Sequence, residues 1–177
     1  MSESGRLSTA IGAGCSMSIL GMDRFIEQIR LGFEEGDPNV HSKVIERKNV
    51  EIVQRLFEAL SRNDFDAMID EMSEEIEMEI LGPPGGPMVG VCSGKTAVRQ
   101  TLVQNFGMVD EQQPEILSVT AQGNTVVIVG RETGRFKPTG KTYNVSWVQI
   151  FTLQNDKAVR FREIVDMATL IQSATPN

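Results

Sequence analysis

The sequence predicts an α+β domain, with helices leading and a meander of antiparallel strands following, and three observations carry that prediction. From residue 42 to residue 72 and again from residue 94 to residue 107 apolar positions recur three or four apart, the spacing that builds one face of a helix. Beyond residue 114 the spacing changes to alternation, interrupted by short turns, which is the mark of strands. Helices grouped before strands call for a sheet with one face packed on the helices. The third observation is size: 177 residues make one domain, which buries about 68–70% of its unfolded surface.

Composition narrows the function classes. A formal charge of −7 with no strong basic patch argues against binding a nucleic-acid backbone. No apolar run approaches the ~18 residues that mark a membrane-spanning helix, so a soluble chain is expected, with no membrane partner. Cys15 and Cys92 lie far apart without metal-ligand spacing, and two thiols fit a reducing compartment, the cytoplasm by default. "IGAGC", ending at Cys15, faintly resembles a lipoprotein cleavage site, but the preceding apolar stretch is short and interrupted by Ser8, Thr9 and Gly12.

Taken in order, residues 1–43 form an extension. Its first twenty residues are rich in Ser and Gly and are expected to be flexible. Met22, Phe25, Ile26, Ile29 and Phe33 then mark a short amphipathic helix, which needs a partner surface in its own domain or a second subunit and which stops at Gly36, Asp37 and Pro38. The domain proper spans residues 44–172. Ile45, Ile52, Val53, Leu56, Phe57 and Leu60 face one way on a helix opened near Ser42 and closed by "SRND". "DFDAMIDEM" is a shorter helix capped by Asp64. In "EIEMEIL" Ile76, Met78 and Ile80 alternate with glutamates, a strand with one wet face, and Glu74, Glu75, Glu77 and Glu79 read as that solvated face. "GPPGGP" is a loop, because proline there suits neither helix nor interior strand. "GKTAVRQTLVQNFG" is helical again. Residues 115–136 read as two strands about a Gly-Asn turn, residues 141–165 as two more about Asn155 and Asp156, and a last short helix starts at Asp166.

Two familiar motifs fail. "VGVCSGKT" ends like a phosphate-binding loop, but the position that needs the first glycine is Val89, so backbone amides are not arranged to cradle phosphates. His41 is the only histidine and lies outside the domain, which removes histidine-based triads and metal centres. Carboxylates must therefore carry any general acid–base work.

The order "NVEIVQRLFEALSRNDFDAMIDEMSEEIEME", a Gly/Pro loop, "GKTAVRQTL" and a meander ending "DKAVRFREIVDMATL" resembles the SnoaL-like branch of the nuclear transport factor 2-like superfamily, over residues 44–172. The resemblance implies a cone-shaped fold in which a curved antiparallel sheet wraps over N-terminal helices. It implies an apolar pocket in the wide end and homodimers through the outer sheet face. Members include polyketide cyclases, ketosteroid isomerases, limonene epoxide hydrolases, dehydratases and binding proteins, so the fold does not choose a reaction. The residues depart from the known mechanisms: Leu56 and Ile80 stand where the isomerases carry a catalytic tyrosine and a base aspartate, and Gln149 falls at or near their second oxyanion-hole acid. The Arg-x-Asp pair of the epoxide hydrolases is replaced by Trp147 and Gln149. An acid on the last strand, as in the SnoaL-type cyclases, is retained.

Strand alternation selects among the acids. In "YNVSWVQIFTL" Tyr143, Val145, Trp147, Phe151 and Leu153 face inward and take Gln149 with them. On the last strand Val159, Phe161 and Val165 share a face with Glu163, opposite Arg160 and Arg162. Glu163 is then either an internal partner of Gln149 or of an arginine such as Arg131, or a ligand-contacting acid whose pKa is raised by burial. Asp166 reads as a helix N-cap or as a second acid. Tyr143 and Trp147 are core residues or a ligand platform. The expected activity is therefore that of an acid–base cyclase or isomerase: Glu163 or Asp166 moves a proton beside the carbonyl of a small apolar compound, Gln149 steadies the oxygen, and Tyr143, Trp147 and Arg131 contact the ligand. No metal or organic cofactor is needed. The alternative is a non-catalytic module for ligand binding or dimeric assembly.

Overall fold

A computed structural model describes residues 40–176, and the amphipathic segment from Met22 to Phe33 lies outside them. The leading helix α1 (Val40–Ser61) runs through the boundary expected near residue 43. Its Ile52, Val53, Leu56 and Phe57 are buried as the periodicity predicts, whereas Ile45 is exposed. Helix α2 (Phe65–Asp70) is capped by Asp64, whose side chain accepts from the Ala67 amide at 3.0 Å. Strand β1 (Met72–Leu81) buries Ile76, Met78 and Ile80 on one face.

After the Gly/Pro loop comes a strand the sequence reading did not separate from the helix entry, β2 (Gly90–Ser93), paired antiparallel with β1. Four residues with mostly exposed side chains leave no period to detect. Helix α3 (Lys95–Gly107) follows, then β3 (Val109–Gln122), β4 (Thr125–Phe136), β5 (Lys141–Gln154), β6 (Lys157–Val165) and helix α4 (Met167–Ala174). Both expected turns are present: Gly123 has φ 54°, and Asn155 and Asp156 have φ 49° and 62°, the left-handed pair that a two-residue hairpin requires.

The six strands form one sheet in the order β2-β1-β6-β5-β4-β3. The meander is antiparallel, but β1 pairs with β6 in parallel, so the sheet is mixed at the point where the chain's first long strand meets its last. β3 is an edge strand and begins at Val109, ahead of the expected start; the edge tolerates Pro114, which has no amide hydrogen to donate. Register breaks in β1, β3 and at the β5–β6 turn are the irregularities that bend strands and let the sheet wrap the helices. The last of these changes one expectation: the shift between Thr152 and Leu153 turns Ala158 inward in place of Val159, and alternation holds from Arg160 onward. The core between inner sheet face and helices contains Leu56, Ile76, Met78, Val98, Ile128 and Phe151. Among the described residues no helix is long and apolar enough to cross a membrane.

Candidate functional site

The inner face of the sheet is ordered in cross-strand rows, and the rows place the chemistry. Ile80, Glu163, Gln149 and Ile128 stand side by side across β1, β6, β5 and β4. The next row holds Val165, Trp147, Gly130 and Ile116, and the one after it Val145, Glu132 and Pro114. A further row pairs Tyr143 with Gly134. Helix side chains, including Leu56, Leu102, Asn105 and Phe106, close the opposite wall around a cavity of about 130 Å³. An apolar cavity of roughly 150 Å³ accepts a benzene ring, so the space is that of one aromatic ring or its equivalent.

Glu163 lines this cavity. The Gln149 side-chain amide donates to its Oε1 at 2.8 Å, and its other oxygen has no hydrogen-bond partner among the described residues and is not sealed by protein. Burial among apolar groups pushes the Glu163 carboxyl above the usual range; the Gln149 bond offsets part of this, and the nearby Glu132 charge adds to it. Its expected neighbour Gln149 is therefore present, and both side chains line the cavity.

Glu132 is the acid that sequence reasoning missed. Tyr143 Oη donates to its Oε1 at 2.6 Å and Gln112 Nε2 donates to the same oxygen at 3.1 Å, leaving Oε2 without a hydrogen-bond partner among the described residues. Burial raises its pKa, while the bonds from Tyr143 and Gln112 act against the rise. The signal was the alternation of Val126, Ile128, Gly130, Glu132, Gly134 and Phe136, masked because Val127 and Val129 make the other face apolar as well. Asn105 was also missed: it is 9% exposed, lines the cavity, and its carboxamide makes no hydrogen bond among the described residues.

The other expected site residues divide. Tyr143 and Trp147 are buried and line the cavity, and Gln149 lines it too. Arg131 is placed elsewhere: its neighbours Gly130 and Glu132 turn inward, so it turns out, is exposed, and pairs with Glu115 through Nε at 2.8 Å and Nη2 at 2.7 Å. Asp166 does not line the cavity; Oδ1 accepts from the Thr169 amide at 3.4 Å and Oδ2 from the Thr169 hydroxyl at 2.8 Å, which caps α4. Arg162 and Glu79, bonded at 2.7 Å, occupy the outer face as alternation requires. Among the described residues no three His, Cys, Asp or Glu side chains are grouped to hold a metal ion.

A sheet bent over helices around a cavity with half-buried acids defines the class: an α+β protein of the nuclear transport factor 2-like fold. A family model of the SnoaL-like domain matches residues 53–161, more than half of the chain, and the chain belongs to that family. Among similar solved structures is an NTF2-like protein from Burkholderia xenovorans LB400, 29% identical over 73% of this chain and 98% of that one, with a TM-score of 0.65. A candidate SnoaL-like polyketide cyclase from Jannaschia sp. CCS1 is 24% identical, with 81% and 100% of the two chains covered and a TM-score of 0.62. An epoxide hydrolase of the LEH-like kind from M. tuberculosis shares the fold at 16% identity, with 71% and 88% covered and a TM-score of 0.57.

Proposed function

We propose that this SnoaL-like domain is an acid–base isomerase or cyclase acting on a small, largely apolar carbonyl compound, with Glu163 as the proton carrier. The observation that carries the reading is the Glu163 carboxyl lining the cavity, one oxygen held by Gln149 and the other without a hydrogen-bond partner among the described residues. In its ionised form Glu163 takes a proton from the carbon beside the carbonyl, and the electron pair of that C–H bond moves toward the carbonyl oxygen. The second N–H of Gln149 is the donor suited to steady that oxygen. Return of the proton to a different carbon of the same framework completes an isomerisation; attack of the enolate carbon on a second carbonyl closes a ring, and the proton on Glu163 passes to the alkoxide oxygen formed there. Ile80, which occupies the position of the isomerases' base aspartate in the family resemblance, is the cross-strand partner of Glu163. The acid thus reaches the same part of the cavity from the neighbouring strand. Proton transfer is assigned to Glu163 and not to Asp166, whose oxygens are engaged in the helix cap.

The test is hydrogen–deuterium exchange beside the carbonyl of a panel of neutral aryl ketones in D₂O, followed by proton NMR. Wild-type protein should accelerate exchange of at least one ketone, and Glu163→Gln should remove about 10²-fold or more of that acceleration with the fold intact. Exchange that is unchanged in Glu163→Gln, or absent throughout the panel, would sink the assignment.

A second reading is favoured by one observation: Leu56 and Ile80, at the positions of the isomerases' tyrosine and aspartate, both line the cavity and are apolar. A binding module would hold its ligand unchanged, so mass spectrometry of molecules that co-purify, before and after incubation, separates the readings. We also propose a homodimer through the outer sheet face. The row Val129, Val148 and Ile164 runs across β4, β5 and β6 on that face, with Ile164 48% exposed.

A further inference from the structure

We propose that Glu132 is a specificity residue of the same cavity and that the ligand is an uncharged compound with two oxygen functions on a ring-sized apolar body, one met at Glu163 and Gln149 and the other at Glu132. The inference rests on the proposed function for the first of these ends and adds the second.

Three observations support it. Glu132 and Glu163 lie two rows apart on the inner sheet face, opposite Val145 and Gln149 of β5, so roughly 13 Å of strand separates their backbones. Trp147 fills the row between, an apolar surface flanked by a polar group at each end. Each acid is built alike, with one oxygen held by protein donors and the other left without a hydrogen-bond partner among the described residues. Neither free oxygen is sealed by protein, so each is open to a ligand hydroxyl that could bond it.

The local sequence gives Glu132 its room. Gly130 and Gly134 flank it on the inner face, and a Cβ on either would overlap the ring of Trp147 or of Tyr143. The two aromatic rings therefore lie against the strand on both sides of the acid, and the Tyr143 hydroxyl is delivered to Glu132. Asn105, whose side chain makes no hydrogen bond among the described residues, lines the same cavity as Gln112 and Glu132.

Charge decides the rest of the ligand class. Among the described residues no Lys, Arg or His lines the cavity, so a carboxylate or phosphate would meet two carboxyl groups and no counter-charge from them. A hydroxyl is the best second function, since it donates to a carboxylate and accepts from a carboxyl, whichever form Glu132 takes.

The experiment uses two probes of matched size, 4-ethylacetophenone with one oxygen function and 4-(hydroxymethyl)acetophenone with two. Both are titrated into wild-type protein by calorimetry and by NMR of the side-chain amides. The hydroxymethyl compound should bind at least about tenfold more tightly, move the amide signals of both Gln149 and Gln112, and lose its advantage in Glu132→Leu but keep it in Glu132→Gln. A purely structural role for Glu132 would weaken both probes equally and leave the ratio unchanged, which would overturn the inference. If Glu132→Leu does not fold, the wild-type measurements decide: equal affinities with an unmoved Gln112 signal overturn it. Should the ethyl compound move Gln149 alone and the hydroxymethyl compound do no more, the second end fails while the proposed function stands. Failure of either probe to move Gln149 counts against that function, and absence of binding by both overturns the ligand class.

Discussion

Gly130 and Trp147 are cross-strand partners on β4 and β5, and the indole ring lies so close over the glycine that a Cβ there would come within 2.7 Å of Cε2. The glycine sets the position of the chain's single tryptophan and, through it, the floor of the cavity. Gly130→Ala should cost about 1–3 kcal/mol through overpacking, read by urea denaturation, and should alter the fluorescence of Trp147. A variant of wild-type stability and spectrum would show that the ring moves freely.

The two cavity acids give a pH dependence whose sign is determined. Burial holds the folded-state pKa of both Glu132 and Glu163 above the usual 4.5, so over the range between that value and the raised ones the folded protein binds more protons than the unfolded chain. Their stabilising contribution is full below about pH 4.5 and is lost as pH rises through the raised values. Glu163→Gln should therefore flatten the fall in melting temperature between pH 4.5 and pH 7.5 and make the protein more stable than wild type at the upper end. Glu71, held low by its hydrogen bond from Arg55, acts in the opposite sense and on the acid side of this window. Parallel curves for wild type and variant would contradict the placement of Glu163.

Asp166→Ala should behave as the loss of a helix cap, costing about 1 kcal/mol in urea denaturation while leaving ketone exchange unaltered. A large loss of exchange with little change in stability would return Asp166 to the chemistry. Arg131→Ala, which breaks a solvent-exposed pair with Glu115, should change stability by only about 0–1 kcal/mol and leave probe binding as it was.

Charge placed on the outer face tests the dimer. Ile164→Lys puts an ammonium in the row it shares with Val148 and Val129, and should convert a dimeric sedimentation boundary to a monomeric one without unfolding the protein. A wild-type chain that sediments as a monomer would remove the proposal.

The sequence by itself determined most of the elements, β2 excepted, and the side that α1, β1 and β5 present. Periodicity along α1 and alternation along β1 and β5 are local properties, because a side chain's direction follows from its own backbone, and they placed Leu56, Ile80, Tyr143, Trp147 and Gln149 correctly against the core. The bond between Glu163 and Gln149 was legible for the same reason, once the two strands were taken as hairpin neighbours. Only the tertiary structure decided what lies opposite what. The parallel pairing of β1 with β6 sets Ile80 beside Glu163 although they are far apart in the chain. The bulge before Arg160 inverted the expected roles of Ala158 and Val159. Glu132 emerged as a cavity acid because Gly130 and Gly134 admit two rings from the next strand, a fact of cross-strand packing that no single strand's pattern contains.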